Sequence, residues 1–407
     1  MILPRPGRDR QSVARRDPTC DVPPVPAFRF ELCDLPPAAE ILRREVRAFL
    51  AAELPGHPAA RRAYTWMEGD RAFSRKVGAR GWLGMTWPRR YGGHERTAFE
   101  RYVVLEEMLV AGAPVAAHWI ADRQTGPLIL RYGTEEQKRR YLPGIARGEL
   151  ACCIGMSEPD TGSDLASVRT RAERTGDGWR VNGSKIWTSG AADSDYMTAL
   201  VRTRVVPGKK HEGLSQLLVD LRSRGITIRP IRDLAGRDHF CEVIFEDAAL
   251  PADALVGAEG QGWEQVMAEL AYERSGPERY LSCYPLLQEL ITLLEHGASE
   301  RQRVQIGYEV ARLATLRAMS LSVTGMLGAG ANPALEASVV KDQGALFEQA
   351  LPGTAQALVD ETPSTDAGAS DFRQMLGHLV QNAPSYSLRG GTREILRGII
   401  ARGLGLR

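Results

Sequence analysis

Met156-Ser157-Glu158-Pro159-Asp160-Thr161-Gly162-Ser163-Asp164-Leu165 and Gly183-Ser184-Lys185-Ile186-Trp187-Thr188-Ser189-Gly190 are the two stretches that decide how this chain is read. The first closes a β-type run with small residues and hydroxyls, so backbone N–H groups can come close to a planar, anionic ligand. The second sets a tryptophan beside two hydroxyl side chains, offering one flat apolar face and two hydrogen-bonding groups to a heteroaromatic ring. Taken singly, one is a plain turn and the other a core tryptophan. Joined by a β-hairpin, they point to a flavin.

Around these stretches, composition sets the bounds. The chain has 407 residues, 43% hydrophobic and 25% charged, as expected of a globular protein with two or three packing units. Its net charge of +2 supplies no field that would draw nucleic acid or an anionic membrane as partner, and no apolar run reaches the length of a membrane span. The six cysteines, Cys20, Cys33, Cys152, Cys153, Cys241 and Cys283, have no paired spacing and follow no secretory segment. A reducing, cytoplasmic setting without disulfides is therefore expected. The seven histidines show no metal-ligand spacing, so no metal is expected. Five arginines in the first twenty residues are interspersed with Asp9, Asp17 and prolines, so residues 1–27 read as a flexible arm and not as a transit peptide.

Periodicity divides the remainder into α, β and α parts. Leu42, Val46, Phe49 and Leu50 share one helical face, and Tyr102, Leu105 and Leu109 repeat the pattern. Thr134 and Gln137 form a capping box for a helix expected to end at Pro143-Gly144. Residues 28–150 thus read as an N-terminal helical domain. From Ala151 the period becomes two, with turns at Gly176-Asp177-Gly178 and at Asn182-Gly183, so residues 151–257 read as a central β-barrel or sandwich. After Gly257 the helical period returns: Ile306, Val310 and Leu313 share a face, and Pro277 and Pro285 force a break near Gly276. Residues 258–407 read as a C-terminal helical bundle with a surface loop over residues 361–370. The fold class is α+β.

On this frame the chain resembles the acyl-CoA dehydrogenase superfamily from about residue 38 onward. The two opening stretches match that family's flavin motifs. Gly81-Trp82-Leu83-Gly84, Tyr91-Gly92-Gly93, the segment Tyr132-Gly133-Thr134-Glu135-Glu136-Gln137-Lys138, and Gly390-Gly391-Thr392-Arg393-Glu394-Ile395 support the match. The resemblance implies FAD as cofactor. It would be held by Met156, Ser157, Gly162, Ser163, Trp187, Thr188, Ser189, Thr392 and Glu394, with Ser157 and Ser189 on the isoalloxazine edge, Trp187 stacked on it and Ser163 at the pyrophosphate.

The implied reaction is α,β-dehydrogenation of an acyl-CoA thioester, with electrons passed on to an electron-transfer flavoprotein. It needs a base for the α-proton, polarisation of the carbonyl and a hydride acceptor on the opposite face. In this family the base is a Glu in a dry pocket, where desolvation lifts its pKa toward roughly 6–7. Two positions serve for it in the family. The one before the C-terminal Gly-Thr is Gly390 here, which has no side chain; the other, on the helix after the β domain, is Glu273 in Ala271-Tyr272-Glu273-Arg274. The resemblance therefore makes Glu273 the base, as in branched-chain and long-chain types. Tyr272 and Arg274 would meet the substrate's CoA part, and the backbone at Gly390-Gly391 its thioester carbonyl. By local sequence alone, Glu273 reads first as a solvated Glu beside Arg274 on a helix surface.

Departures from the family pattern bear on assembly. The Arg-x-x-Phe-Gly segment through which a neighbouring subunit touches FAD is missing from residues 297–305, and Leu351-Pro352-Gly353-Thr354 stands where a Gly-Gly segment meets the adenosine end. A homodimer or homotetramer and a heteromer with a related chain both stay open, the second with FAD in one subunit type only. A flavin-binding subunit without dehydrogenase activity, or an oxygen-using enzyme of the same fold, is the alternative function. Ser338-Val339-Val340-Lys341 has Ser-x-x-Lys spacing but lacks the companion motifs of a serine acyltransferase. In the family it resembles, a base at this position often goes with branched or bulky acyl chains, so the resemblance implies these over short straight ones.

Overall fold

The computed structural model describes residues 29–406, except for the side chains of residues 270–273. The expected arm, residues 1–27, lies outside the described residues. Helices come first, among them Pro37–Glu53, Ala98–Val110 and Glu135–Ala146. Leu42, Val46, Phe49 and Leu50 are buried on the first, and Tyr102, Leu105 and Leu109 on the second, as their spacing predicts. The Thr134–Gln137 capping box is formed, but the helix it starts runs past Pro143 to Ala146. Proline there loses the N–H that would bond four residues back and crowds that carbonyl, and burial of Leu142, Ile145 and Ala146 carries the helix past it.

Eight strands come next: β1 (Cys152–Gly155), β2 (Arg171–Arg174), β3 (Gly178–Ser189), β4 (Tyr196–Arg202), β5 (Leu214–Asp220), β6 (Ile226–Ile231), β7 (Phe240–Pro251) and β8 (Leu255–Val256). They form one sheet in the order β6-β7-β3-β2-β4-β5-β8, with β1 parallel beside β4. Trp179, Val181, Met197, Leu217, Val243 and Phe245 meet in one apolar core, so the sheet wraps on itself. The hairpin at Gly176-Asp177-Gly178 is present between β2 and β3. The turn expected at Asn182-Gly183 is absent: β3 runs straight through it, and the irregularity there is a bulge against β7. Gly183 sits at φ +137°, and a Cβ on it would lie 2.7 Å from Thr170 Cα and Oγ1. Glycine is thus required for close approach within a strand and does not mark a reversal.

The remaining helices are Gly262–Glu273, Tyr284–Leu294, Glu300–Gly328, Ala334–Leu358, Asp371–Asn382 and Arg393–Gly403. The break near Gly276 is where expected, with a short 3₁₀ turn at Pro277–Arg279. On the long helix Ile306 and Leu313 pack inward, but Val310 is exposed, as are Val304 and Tyr308. Sequence periodicity does not disclose that the helices before and after the sheet share a single apolar core, in which Val46, Phe49 and Leu109 meet Leu286, Phe347 and Leu376. A charge cluster around buried Glu106 and Glu107 fastens the same seam. Arg43 and Arg317 donate to Glu106 at 2.9 and 2.6 Å, and Arg47 donates to Glu107 at 2.7 Å. Because a carboxylate inside protein is tolerated only when paired, these contacts fix the seam's register.

Gly183→Ala should lower unfolding stability by about 1–3 kcal/mol, the cost of a strained backbone angle. Chemical denaturation measures it; an unchanged midpoint would show that the bulge has room for a side chain.

Candidate functional site

The site is built on β3 and on the segment after β1. Lys185 faces inward on β3 and is fully buried; its Nζ donates to Glu158 Oε1 at 2.7 Å and to Met156 O at 3.1 Å. Glu158 also accepts the backbone N–H groups of Arg169 at 2.6 Å and Thr170 at 2.9 Å. Burial alone would raise the Glu158 carboxyl, but attraction to Lys185 and these hydrogen bonds hold it below the usual carboxylate range. Burial pulls the Lys185 ammonium down, and Glu158 opposes that pull. With the pair formed, Ile186 N donates to Ser157 O at 2.9 Å, so the two opening motifs lie edge to edge.

This clasp shapes the next residues of the strand. The β3–β7 register breaks between Lys185 and Thr188, and Trp187 takes φ +58° with 56% of its surface exposed. A bulky side chain in the left-handed region costs of order 1–3 kcal/mol and persists only where its surroundings enforce it. Phe240 packs edge-on against the indole at 6.0 Å between centroids. Ser189 pairs with Phe240 across the strands and is half-buried, as is Ser157; Ser163 and Gly162 are exposed. Among the described residues, no atom beyond the adjoining residues lies within 4 Å of a Cβ built on Gly162 or Gly190. Thr188 is buried, yet among the described residues its Oγ1 has no partner. An outward indole face, half-buried hydroxyls and open space at two glycines fit a flat ring with an anionic tail, and FAD meets that description.

A second cluster gathers at the C-terminal glycines. Gly390 and Gly391 take φ +60° and +94°, and Thr392 caps the last helix by accepting from Ile395 N. Arg274 is buried; its Nε donates to Gly390 O at 3.4 Å. Lys341, also buried, donates to Gly391 O at 2.7 Å. Glu394 is exposed on the first turn of that last helix. Tyr272 and Glu273 end the helix Gly262–Glu273, but their side chains lie outside the described residues.

That helix links the clusters. Near its start, Trp263 and Val266 share an apolar cluster with Met156, Leu165 and Val168, and Gln216 Nε2 on β5 donates to Glu269 at 2.9 Å. At 1.5 Å per residue a helix of 12 residues spans about 18 Å. It therefore runs from the first motif to Arg274 at the glycine turn. In the sequence, Lys185 and Glu158 stand out only as motif letters, and Lys341 does not stand out as a site residue. Opposite charges placed in the two paired motifs were the available signal for the first two; Lys341 had none, because its partner lies fifty residues on. Ser338, its companion in the Ser-x-x-Lys spacing, bonds instead to Ala334 O at 2.7 Å.

Among the described residues no group of histidine, cysteine, aspartate or glutamate could hold a metal ion, and no helix is long and apolar enough to cross a membrane. The five described cysteines are free.

Comparison with known proteins gives the same frame. Residues 36–149 match the model described as acyl-CoA dehydrogenase, N-terminal domain, and residues 153–248 the model of the middle domain. Acyl-CoA dehydrogenase FadE26 of Mycobacterium tuberculosis is 33% identical over 387 residues, covering 89% of this chain and 92% of that protein. Among solved structures, the Tcur3481-Tcur3483 steroid ACAD superposes with a TM-score of 0.82 at 28% identity, over 92% of this chain and 99% of that one. The ChsE4-ChsE5 complex of Mycobacterium tuberculosis does so with a TM-score of 0.80 at 30% identity, over 92% and 99%.

Glu158→Gln should cost about 3–5 kcal/mol, because it leaves the Lys185 charge buried without its counter-ion. The lowered carboxyl sets the sign of the pH dependence. Below its usual value of 4.5 the unfolded chain takes up the proton first, so stability falls as pH drops through that range. Denaturation curves between pH 7 and pH 3 should show this acid loss in the wild type and a smaller one in Glu158→Gln; equal losses would mean that the pair is not formed.

Proposed function

The chain belongs to the acyl-CoA dehydrogenase family of oxidoreductases, and on that premise we infer that it catalyses α,β-dehydrogenation of a bulky acyl-CoA to the trans-2-enoyl-CoA. The observation that carries the inference is Trp187, half-exposed at φ +58° next to Ile186, whose N–H meets Ser157 O, and two residues before Ser189. FAD, when bound there, supplies the hydride acceptor for the β-carbon. In this reading Trp187 provides the stacking face, Ser157 and Ser189 hydrogen-bond the ring edge, and the exposed Gly162-Ser163 corner receives the phosphates.

Glu273 removes the α-proton. It stands at the end of the helix Gly262–Glu273, one residue before buried Arg274, whose Nε donates to Gly390 O. The turn's backbone N–H groups polarise the thioester carbonyl as enolate charge develops. Arg274 and Tyr272 orient the CoA end of the substrate. Electrons pass on to an electron-transfer flavoprotein.

Two relatives support a bulky acyl group and a mixed assembly. One similar structure is named a steroid ACAD, and two are named as pairs of different chains. Exposed Val304, Tyr308 and Val310 on the long C-terminal helix, with the missing partner-facing motifs, suit a heteromer with a related chain.

Anaerobic mixing of the FAD-loaded chain, alone and with its related partner, with straight, branched and steroid-ring acyl-CoAs tests the inference. Flavin absorbance should bleach, fastest with the bulkiest acyl groups. Glu273→Gln should keep its yellow FAD and lose bleaching by at least about 10³-fold, the scale of a general base. Bleaching of Glu273→Gln at the wild-type rate would remove Glu273 from the role, and no bleaching of wild type by any acyl-CoA would leave a flavin-binding subunit.

A further inference from the structure

The helix Ala334–Leu358 carries a stripe of buried charge that the apolar core does not call for. Lys341 and Glu348 are 1% and 0% exposed, and a spacing of seven puts them on one face. Asp342 is buried next to Lys341. These charges converge on the five residues around the glycine turn. Glu348 pairs with Arg389 and accepts Ser282 N at 2.7 Å, and Arg389 Nη1 donates to Ser282 Oγ at 3.1 Å. Lys341 Nζ holds Gly391 O at 2.7 Å, and Asp342 Oδ1 accepts Arg393 Nε at 2.9 Å. The turn is gripped before, within and after its glycines.

Charge is costly to bury and is retained where it fixes one geometry that apolar packing would leave loose. A Gly-Gly turn is the least self-determined piece of backbone available, since both residues reach positive φ as easily as negative. A planar peptide points its N–H opposite to its C=O. With Gly390 O turned to Arg274 and Gly391 O to Lys341, the N–H of Gly391 is aimed away from Arg274 and that of Thr392 away from Lys341. Among the described residues neither N–H has an acceptor.

We propose that Lys341, seconded by Asp342, is a positioning residue for the dehydrogenation: it clamps the Gly390-Gly391 turn so that its N–H groups are fixed toward the thioester carbonyl. The proposal rests on the reading that this turn meets the thioester. Drawing electron density onto the Gly391 carbonyl, the ammonium also strengthens the adjoining N–H as a donor.

Holoenzyme carrying Lys341→Met, Lys341→Arg or Asp342→Asn tests it, with two readouts. The first is flavin bleaching by the acyl-CoA that reduces wild type fastest. The second is the infrared carbonyl stretch of that acyl-CoA, ¹³C-labelled at the thioester carbonyl and bound to dithionite-reduced enzyme, where turnover is blocked. Lys341→Met should slow maximal bleaching about 10²-fold, the scale of losing one carbonyl donor, with KM changed less than about threefold. Its bound carbonyl should shift back toward the free thioester. Lys341→Arg should recover most of both, and Asp342→Asn should move both in the same direction by less. If Lys341→Met does not fold, Asp342→Asn decides: a carbonyl shifted toward the free position supports the clamp, and a wild-type stretch overturns it. Wild-type bleaching and stretch in Lys341→Met overturn it likewise. A wild type that no acyl-CoA bleaches sinks this proposal together with the dehydrogenase reading; a bleaching wild type beside an equally fast Lys341→Met sinks the clamp alone.

Discussion

The ion pair between Glu158 and Lys185 is the constraint on which the site depends. Removing both charges from water costs several kcal/mol per ion, and attraction repays this only when their hydrogen-bonding capacity is filled. Here Glu158 receives Lys185 and two backbone N–H groups, and the ammonium has both a carboxylate and a carbonyl oxygen as acceptors. A pair so provided holds one arrangement of the segments it joins. It lays Ser157 against Ile186, and the β3–β7 pairing bulges between Lys185 and Thr188. Trp187 is the residue turned out by that bulge. A strained, half-exposed tryptophan is therefore the cost of the clasp and the surface that it presents.

The second constraint is that the helices on either side of the sheet pack as one body. Val46 and Phe49 share a core with Leu286 and Phe347, and Glu106 receives arginines from both helical regions. The helix Gly262–Glu273 leaves the sheet into that body. Trp263 and Val266 anchor one end near the first motif, and Arg274 meets the glycine turn at the other. The Trp187 face and the C-terminal turn are thereby referred to one rigid element, as the proposed reaction between a held ring and a held thioester requires.

Much of this was legible in the sequence because the signals were local. The face formed by Leu42, Val46, Phe49 and Leu50, the Thr134 capping box, the Gly176-Asp177-Gly178 hairpin and the break near Gly276 each rest on residues a few positions apart. The misreadings are instructive for the same reason. Asn182-Gly183 has the letters of a tight turn, yet β7 supplies a partner on both sides of it, and tertiary pairing turned the glycine into a bulge. Pro143 has the letters of a stop, yet Leu142 and Ile145 are buried on either side of it, and that packing carries the helix to Ala146. Val310 was expected to be inward and is exposed, because periodicity marks an apolar face without saying whether this chain or another covers it. The roles of Lys341 and Glu348 were not legible at all. Their partners are 50 and 66 residues away, and nothing in a single sequence pairs them.

The clasp, the bulge and the proposed chemistry all converge on where the Trp187 ring points. A crystal structure of the FAD-loaded protein tests that convergence. The isoalloxazine should lie against the Trp187 indole with Ser157 and Ser189 at its edge, the Glu158–Lys185 pair intact beneath it and the Gly390-Gly391 turn facing its open side. A ring bound elsewhere, or an indole folded back onto the protein with the ion pair broken, would contradict the mechanism at its foundation.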